Sequence, residues 1–398
     1  MLRSLFSGIS GMRAHQTMLD VTGNNIANVN TTGFKSSQTQ FTDTLSQMLT
    51  ATGAPAQGTG GTNPAQVGLG VQVSAITTNF TTGARQTTGR ATDMMISGDG
   101  FFVVQNNGQQ YYTRAGAFDF DANGNLVSAD GSFVMGWAAE TGVVNTNGVI
   151  SPLQLPTTTL SGARQTTTMG FDGNMPADAE AGTVLNRDVE VYDNLGNARI
   201  VTLTFTKTTA AGGGVQQWDV SVVDPNSGAP TTSTMEFDAN GALTSGGTFN
   251  VNGIDIDLTE VTGYAAMNTL ATAQRDGQQA GSLKSFSISN DGTIMGAFSN
   301  GVKEQIGRIA LANFDNPSGL EKQGGSMFSA SANSGDPQVG IAGEGGRGAL
   351  VGGALEMSNV DLSQEFTNLI VAQRGFQANS RIITTSDEVL QELVNLKR

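Results

Sequence analysis

Residues 355–398 read LEMSNVDLSQEFTNLIVAQRGFQANSRIITTSDEVLQELVNLKR, and from Leu362 every seventh residue is large and apolar: Leu362, Leu369, Phe376, Ile383, Leu390. The row offset by four (Phe366, Gln373, Ser380, Asp387, Val394) is apolar only at its ends. A period of seven sustained this long marks a helix lying along another helix. At 1.5 Å per residue, residues 362–396 make a rod of roughly 50 Å. Only Gly375 interrupts it, and Ser358, Asn359 and Asp361 are candidate N-caps. The start of the chain supplies a matching element. Leu5, Met12, Leu19 and Ile26 are again seven apart, with Leu2 and Ile9 on the neighbouring row. The two helices either clasp one another within one chain or build a bundle between many copies, and the same apolar stripe satisfies both.

The chain has 398 residues, room for two or three domains. Charged residues make up only 14% and apolar ones 38%, so much of the surface is polar without charge. Of the net −14, residues 1–50 carry +1 and residues 355–398 carry −2, leaving −13 for the interior. So acidic a protein does not bind nucleic acid or an anionic membrane by bulk electrostatics. The absence of cysteine removes disulfides, thiolate nucleophiles and cysteine metal sites together. Ser7, Gly8, Ser10 and Gly11 break the apolar residues between Arg3 and Arg13, so no cleaved signal peptide is expected. No apolar run is long enough to insert across a bilayer.

Between the helices the period changes. Asn and Gly around Gly23–Gly33 suit a helix end, and residues 50–70 have a linker composition. From Val71 the pattern alternates: Val201, Leu203 and Phe205, then Trp218, Val220 and Val222, then Ile254, Ile256 and Leu258. Phe101–Val104 reads as a short buried strand. Hairpin signals recur at Asn123-Gly124, Asn240-Gly241 and Asp291-Gly292, each between apolar residues. The fold class is therefore mixed α and β and multi-domain, with terminal heptad helices pairing as a coiled-coil-like domain around β-rich middle domains. The expected division is 1–33 with 358–398 as the helical domain, and 34–70 with 345–357 as a connecting segment. An inner β domain takes 71–145 with 281–344, and an outer one takes 146–280.

No active site assembles. His15 is the lone histidine and flanks the apolar row of the first helix, with no Cys or second His to join it. Asp119–Asp130 fits the opening of a D-x-D-x-N-G calcium loop, but ends in Asp instead of Glu and sits between strands. A plain hairpin turn is the preferred reading, because turn chemistry alone explains Asn-Gly and the sister copy at Phe237 lacks the outer carboxylates. Gly343–Gly348 spells G-x-G-x-x-G without the βαβ surroundings of a dinucleotide site. No catalytic, cofactor or metal residue is assigned, and the chain reads as a structural protein.

Asn24-Asn25-Ile26-Ala27-Asn28 with Thr32-Gly33-Phe34-Lys35 resembles the N-terminal signature of the bacterial flagellar rod and hook axial proteins. Asn359-Val360-Asp361 and Gln373-Arg374-Gly375-Phe376-Gln377-Ala378-Asn379 resemble the C-terminal one. Gly98–Phe102 and Tyr112–Gly116 are similar to the shared β domain. The inserted β segment near 146–280 makes the chain similar to hook-type members, with a straight distal rod subunit as the alternative and a secreted β-rich adhesin as a more remote one. The resemblance implies an open helical homopolymer at the cell exterior that transmits torque from rod to filament. It also implies export without a cleaved signal through the flagellar type III apparatus. The distal rod protein, the hook cap and the hook–filament junction protein are the implied partners. Leu5, Met12, Leu19, Ile26, Leu362, Phe366, Leu369, Phe376, Ile383 and Leu390 are the expected polymer contacts. The terminal segments are expected to be disordered in the monomer and to order on assembly.

Overall fold

The computed structural model describes residues 2–55, 57, 60–140, 142–155, 160–209, 216–225 and 229–396. Helix α1 (Leu2–Ala27) and helix α2 (Leu362–Asn395) enclose a middle built of strands, so the chain is a mixed α and β protein of more than one domain. Asp361, not Asn359, caps α2, its side chain accepting from Ser363 N (2.8 Å) and Gln364 N (3.3 Å). Glu365 in the first turn adds favourable charge at the positive end of the helix dipole. The strand middle forms where β-branched and aromatic residues alternate, because that period puts one face of a pleated chain into a core.

Two compact units result. The first comprises Met1–Leu155, Phe286–Met295 and Glu304–Arg398; the second comprises Pro156–Ser285 and Gly296–Lys303. In the first unit Phe101–Asn106 is the central strand. It pairs antiparallel with Gln109–Thr113, Phe133–Glu140 and Leu311–Asn313. Phe101–Val104 is buried throughout, as the unbroken apolar run predicts. Phe101 packs edge-on against Phe314 (5.9 Å) and Phe328 (6.0 Å), and Tyr112 against Phe314 (4.7 Å). Such pairs add about 0.5–1.5 kcal/mol each beyond the area they bury.

The stretch 50–70 departs from its linker composition. Ser46–Thr50 pairs with Ala65–Gly68, and Ser37–Asp43 pairs with Val71–Thr78. Every side chain of Ser46–Thr50 and Ala65–Gly68 is exposed, so no buried face imposes the alternation by which a strand is read. The Gly343–Gly348 motif lies between the strands Gln338–Gly340 and Ala349–Gly352, and Arg347 Nε donates to Ile341 O (3.0 Å). It is a self-closed turn leading into a strand, without the helix a phosphate loop requires.

In the second unit a five-stranded antiparallel meander runs from Val184–Tyr192 to Leu243–Ser245. A four-stranded sheet packs on it, in which Thr168–Asn174 runs parallel to Ile254–Thr262. Val201, Leu203, Phe205, Trp218, Val220 and Val222 face Met169, Phe171, Ile254, Ile256 and Leu258 across one core. Period two places each of these inward.

The hairpin turns share one device. Asp121 Oδ1 accepts from Asn123 N (2.9 Å) and Asn125 N (2.7 Å). Asp193 repeats this with Leu195 and Asn197, and Asp238 with Asn240 and Ala242. In the former calcium-loop candidate, Asp119 instead pairs with Arg90 (3.0 Å), and Asp130 accepts from Ser128 and Ser132. Its carboxylates are thus turned to separate partners. Hydrogen bonds from the Asn125 and Asn197 side chains hold the Asp121 and Asp193 carboxyls below the usual range, and the Ala242 backbone does the same for Asp238. A carboxyl depressed in the folded state stabilises above its unfolded value, and that stabilisation is lost as pH falls through the folded one. Stability measured by chemical denaturation should therefore hold level down to the ordinary aspartate range and fall below it. The triple variant D121N/D193N/D238N should lower that acid slope.

Candidate assembly surface

The terminal helices lie against each other, and small and polar residues share the seam with part of the apolar row of α2. A methyl group added at Gly11 would stand 2.7 Å from Asn379 Oδ1, and one at Gly375 would stand 2.5 Å from His15 Nε2. One at Gly8 would meet Asn379 O at 3.4 Å and the Ile382 and Ile383 side chains at 3.6 Å, ordinary contacts. Ala14, Thr22 and Asn25 of α1 and Ala372 of α2 are buried there. The seam follows two rows at seven-residue spacing, Gly8, His15 and Thr22 in one and Gly11, Met18 and Asn25 in the other, small or polar except at Met18. Small residues let the two backbones approach closely, a packing mode that forgoes large side chains between them. Gly375, an interruption by propensity, is the site where the His15 ring fits. His15 also meets the Phe41 ring at 6.0 Å, so it packs the seam.

The large residues are only partly covered. Leu5, Met12, Leu19, Ile26, Leu369, Phe376 and Ile383 are half-buried, while Leu362, Phe366 (51% exposed) and Leu390 are open. Ile370, Val371 and Val389 are exposed on α2 as well, and so is Ile382, although it also reaches the Gly8 position. An apolar surface sustained along a helix pair is uncommon on a protein that works alone.

The resemblance motifs occupy the root of the helix pair. Asn25 Nδ2 donates to Ser37 O (2.8 Å) and Glu365 Oε1 (3.0 Å), and its Oδ1 accepts from Ser37 N (3.0 Å). Asn28 donates back to Asn24 O (2.9 Å), closing the end of α1. Gly33 has φ +68°, and a Cβ there would lie 2.4 Å from Ala115 N, so only glycine fits. Asn359 Oδ1 accepts from Ser36 N (2.9 Å) while its Nδ2 donates to Asn79 O (2.8 Å). The Lys322 ammonium lies over the Phe34 ring at 5.3 Å. Gln373, Arg374 and Gln377 are exposed on α2, whereas Asn379 lies in the seam.

Sequence reasoning missed the buried ions that anchor this root. Lys35 Nζ meets Glu356 Oε1 at 2.6 Å with both side chains fully buried, and Arg114 Nη1 reaches Glu356 Oε2 at 3.5 Å. Lys35 also donates to Thr81 O (2.8 Å), Arg114 to Gly98 O (2.9 Å), and Gly83 N to Glu356 Oε1 (2.8 Å). Burial pulls the Lys35 ammonium below the usual lysine range, against the raising influence of Glu356.

The chain is thus a helical pair with apolar residues exposed along it, rooted in a β body and without an assembled active site among the described residues. The chain belongs to the flagellar hook protein family. It is 39% identical over 447 residues to the flagellar hook protein FlgE of Borreliella burgdorferi, covering the whole of both chains. It is 38% identical over 423 residues to that of Salmonella typhimurium, covering 99% of this chain and 100% of the relative. Family models agree segment by segment. Residues 5–35 match the flagella basal body rod protein model, and 351–396 match the C-terminal model of the flagellar basal body rod FlgEFG protein. Residues 95–177 match the FlgE/F/G D1 domain, and 171–307 the FlaE D2 domain. The crystal structure of the Helicobacter pylori flagellar hook protein FlgE2 shares the fold, with a TM-score of 0.52 and 16% identity over 67% of this chain and 98% of that one. The protein is accordingly a structural subunit of the flagellar hook, and among the described residues no helix is long and apolar enough to cross a membrane.

Replacing Glu356 by Gln leaves two buried cations without their anion, a class of change that costs about 3–5 kcal/mol. The expected result is a large drop in the denaturation midpoint. Gly375→Leu drives a side chain into His15, and should shift helical content without moving the unfolding of the second unit, followed by Trp218 fluorescence in a Trp137→Phe background.

Proposed function

We propose that copies of this chain polymerise through the outward apolar residues of their terminal helices. Leu5, Met12, Leu19 and Ile26 of α1, with Leu362, Phe366, Leu369, Phe376, Ile383 and Leu390 of α2, carry the contacts of an inner tube. The observation behind this reading is the apolar surface left on the helix pair: Leu362, Phe366 and Leu390 are open and the other large residues are only half-buried. Burying one such side chain contributes about 1.5–3 kcal/mol, so a repeated helical contact can hold a polymer together. A head-to-tail contact that does not close into a ring extends as an open helix. Residues 1–33 with 358–398 form the inner layer, 34–70 with 345–357 connect it outward, 71–145 with 281–344 form an inner β layer and 146–280 an outer one. The β layers, low in charge, make weak polar contacts that re-form as the tube bends, while the helices transmit torque. The terminal helices gain their full order in the polymer.

The hook at the cell exterior is the place of action, reached through the flagellar type III apparatus. The distal rod protein, the hook cap and the hook–filament junction protein meet its ends. No catalytic step enters this function. A hook subunit is preferred over a rod subunit because the 38–39% identical full-length relatives above are hook proteins, and over an adhesin because an adhesin has no use for the uncovered helical stripe.

Electron microscopy of concentrated full-length protein should show hollow, curved filaments. Phe366→Asp with Leu390→Asp, both at exposed positions, should abolish them while leaving the circular dichroism of the monomer unchanged. Filaments that persist in this variant would sink the proposal, and straight filaments from the parent chain would favour the rod.

A further inference from the structure

We propose that Asn107 is a site of spontaneous covalent modification, losing its side-chain amide through cyclisation onto Gly108. The chain contains six Asn-Gly dipeptides, at 107, 123, 147, 240, 252 and 300. In such a pair the glycine nitrogen attacks the asparagine Cγ. The N–Cγ bond forms, the Cγ–Nδ2 bond breaks, and the proton from the glycine nitrogen leaves with the amide as ammonia. Water then opens the succinimide at either carbonyl, giving aspartate or isoaspartate. No oxidant or other reactant is needed.

The fold restrains five of the six. Gly124 N donates to Asp121 O (3.0 Å), Gly241 N to Asp238 O (3.1 Å) and Gly301 N to Phe298 O (3.0 Å). Gly148 N donates to Asn145 O at a longer 3.4 Å, and Gly253 N to Asn250 Oδ1 at 3.0 Å. A nitrogen engaged as a donor must break that bond before it can attack. Several amides are held as well: Asn252 Nδ2 donates to Asp224 Oδ2 (3.1 Å) and Asn300 Nδ2 to Gln279 O (2.9 Å).

Asn107 and Gly108 differ on both counts. They are the exposed two-residue turn between Phe101–Asn106 and Gln109–Thr113, with φ +50° and +82°. Among the described residues neither the Gly108 N–H nor the Asn107 amide makes a hydrogen bond. Cyclisation requires rotation about the Asn107 Cα–C bond to bring the Gly108 nitrogen onto Cγ, and no hydrogen bond of that nitrogen opposes it. Conversion adds one negative charge to a chain already at −14. An isoaspartate also lengthens the main chain within a turn that holds two residues, so the hairpin register no longer fits.

The test is peptide mapping by mass spectrometry of full-length native protein aged in mildly alkaline buffer, with isoaspartate read by enzymatic methylation. Asn107 should convert about tenfold faster than each of the other five, the ratio expected from one retained hydrogen bond. In denaturant the six rates should converge. Asn250→Ala, which frees the Gly253 N–H, should accelerate Asn252 in the native chain. Equal conversion of another Asn-Gly pair in the parent protein would overturn the proposal, as would an unchanged Asn252 rate in the Asn250 variant.

Discussion

The carboxylate of Glu356 holds the first unit together. It lies six residues before α2, yet it is bound to Lys35 just after α1 and to Arg114 within the β body. Three distant segments thus share one buried anion. Burying ions is costly, and the arrangement is stable only because nearly every polar partner is supplied. The second cation is met by Gly98 O and by the face of Phe101, over which the Arg114 guanidinium lies at 5.2 Å. Removing any partner leaves an uncompensated charge in the core, so the cluster favours one arrangement of the helix root over near alternatives. Asn25, Gly33 and Asn359 surround it and fix the same junction through backbone hydrogen bonds.

With the root fixed, the helix pair can afford a seam of little intrinsic strength. Gly11 against Asn379 and Gly375 against His15 gain close approach and van der Waals contact, but they bury few methylenes. Leu369, Phe376 and Ile383 beside them are only half-buried, so part of their surface is left for contacts outside the chain. Were they fully covered within the pair, it would be more stable alone and would have less to offer a neighbour. Stability within the subunit and contacts between subunits draw on the same residues.

Much of this was legible in the sequence, for reasons that differ by element. The period of seven announced two long helices, and alternation announced the strands through Phe205, Trp218 and Ile256. Asn-Gly turns marked the hairpins because their conformation demands those residues. The sequence pattern could not show which face of each helix forms the seam. Periodicity detects large apolar residues, and much of the seam is made of small or polar ones such as Gly11, Thr22, Asn25 and Gly375, which carry little hydropathy signal. The parallel pairing of Thr168–Asn174 with Ile254–Thr262 was hidden for another reason, since strand patterns carry no direction. Nothing in the local sequence marks Lys35 and Arg114 as buried; their shared anion, Glu356, lies 321 residues from Lys35.

That separation bears on how the subunit reaches its folded state. Contacts between residues distant in sequence form late, because loop closure must be completed before they return any energy. The second unit draws its core from residues 156–285 and 296–303 and can collapse while the chain's last segment is still absent. The first unit cannot, for Lys35 and Arg114 lack their anion until Glu356 arrives. The helix root therefore closes last, after both ends of the chain are present. An apolar helical surface is then displayed only on a subunit whose body is already complete, which keeps partly folded chains from offering the same contact.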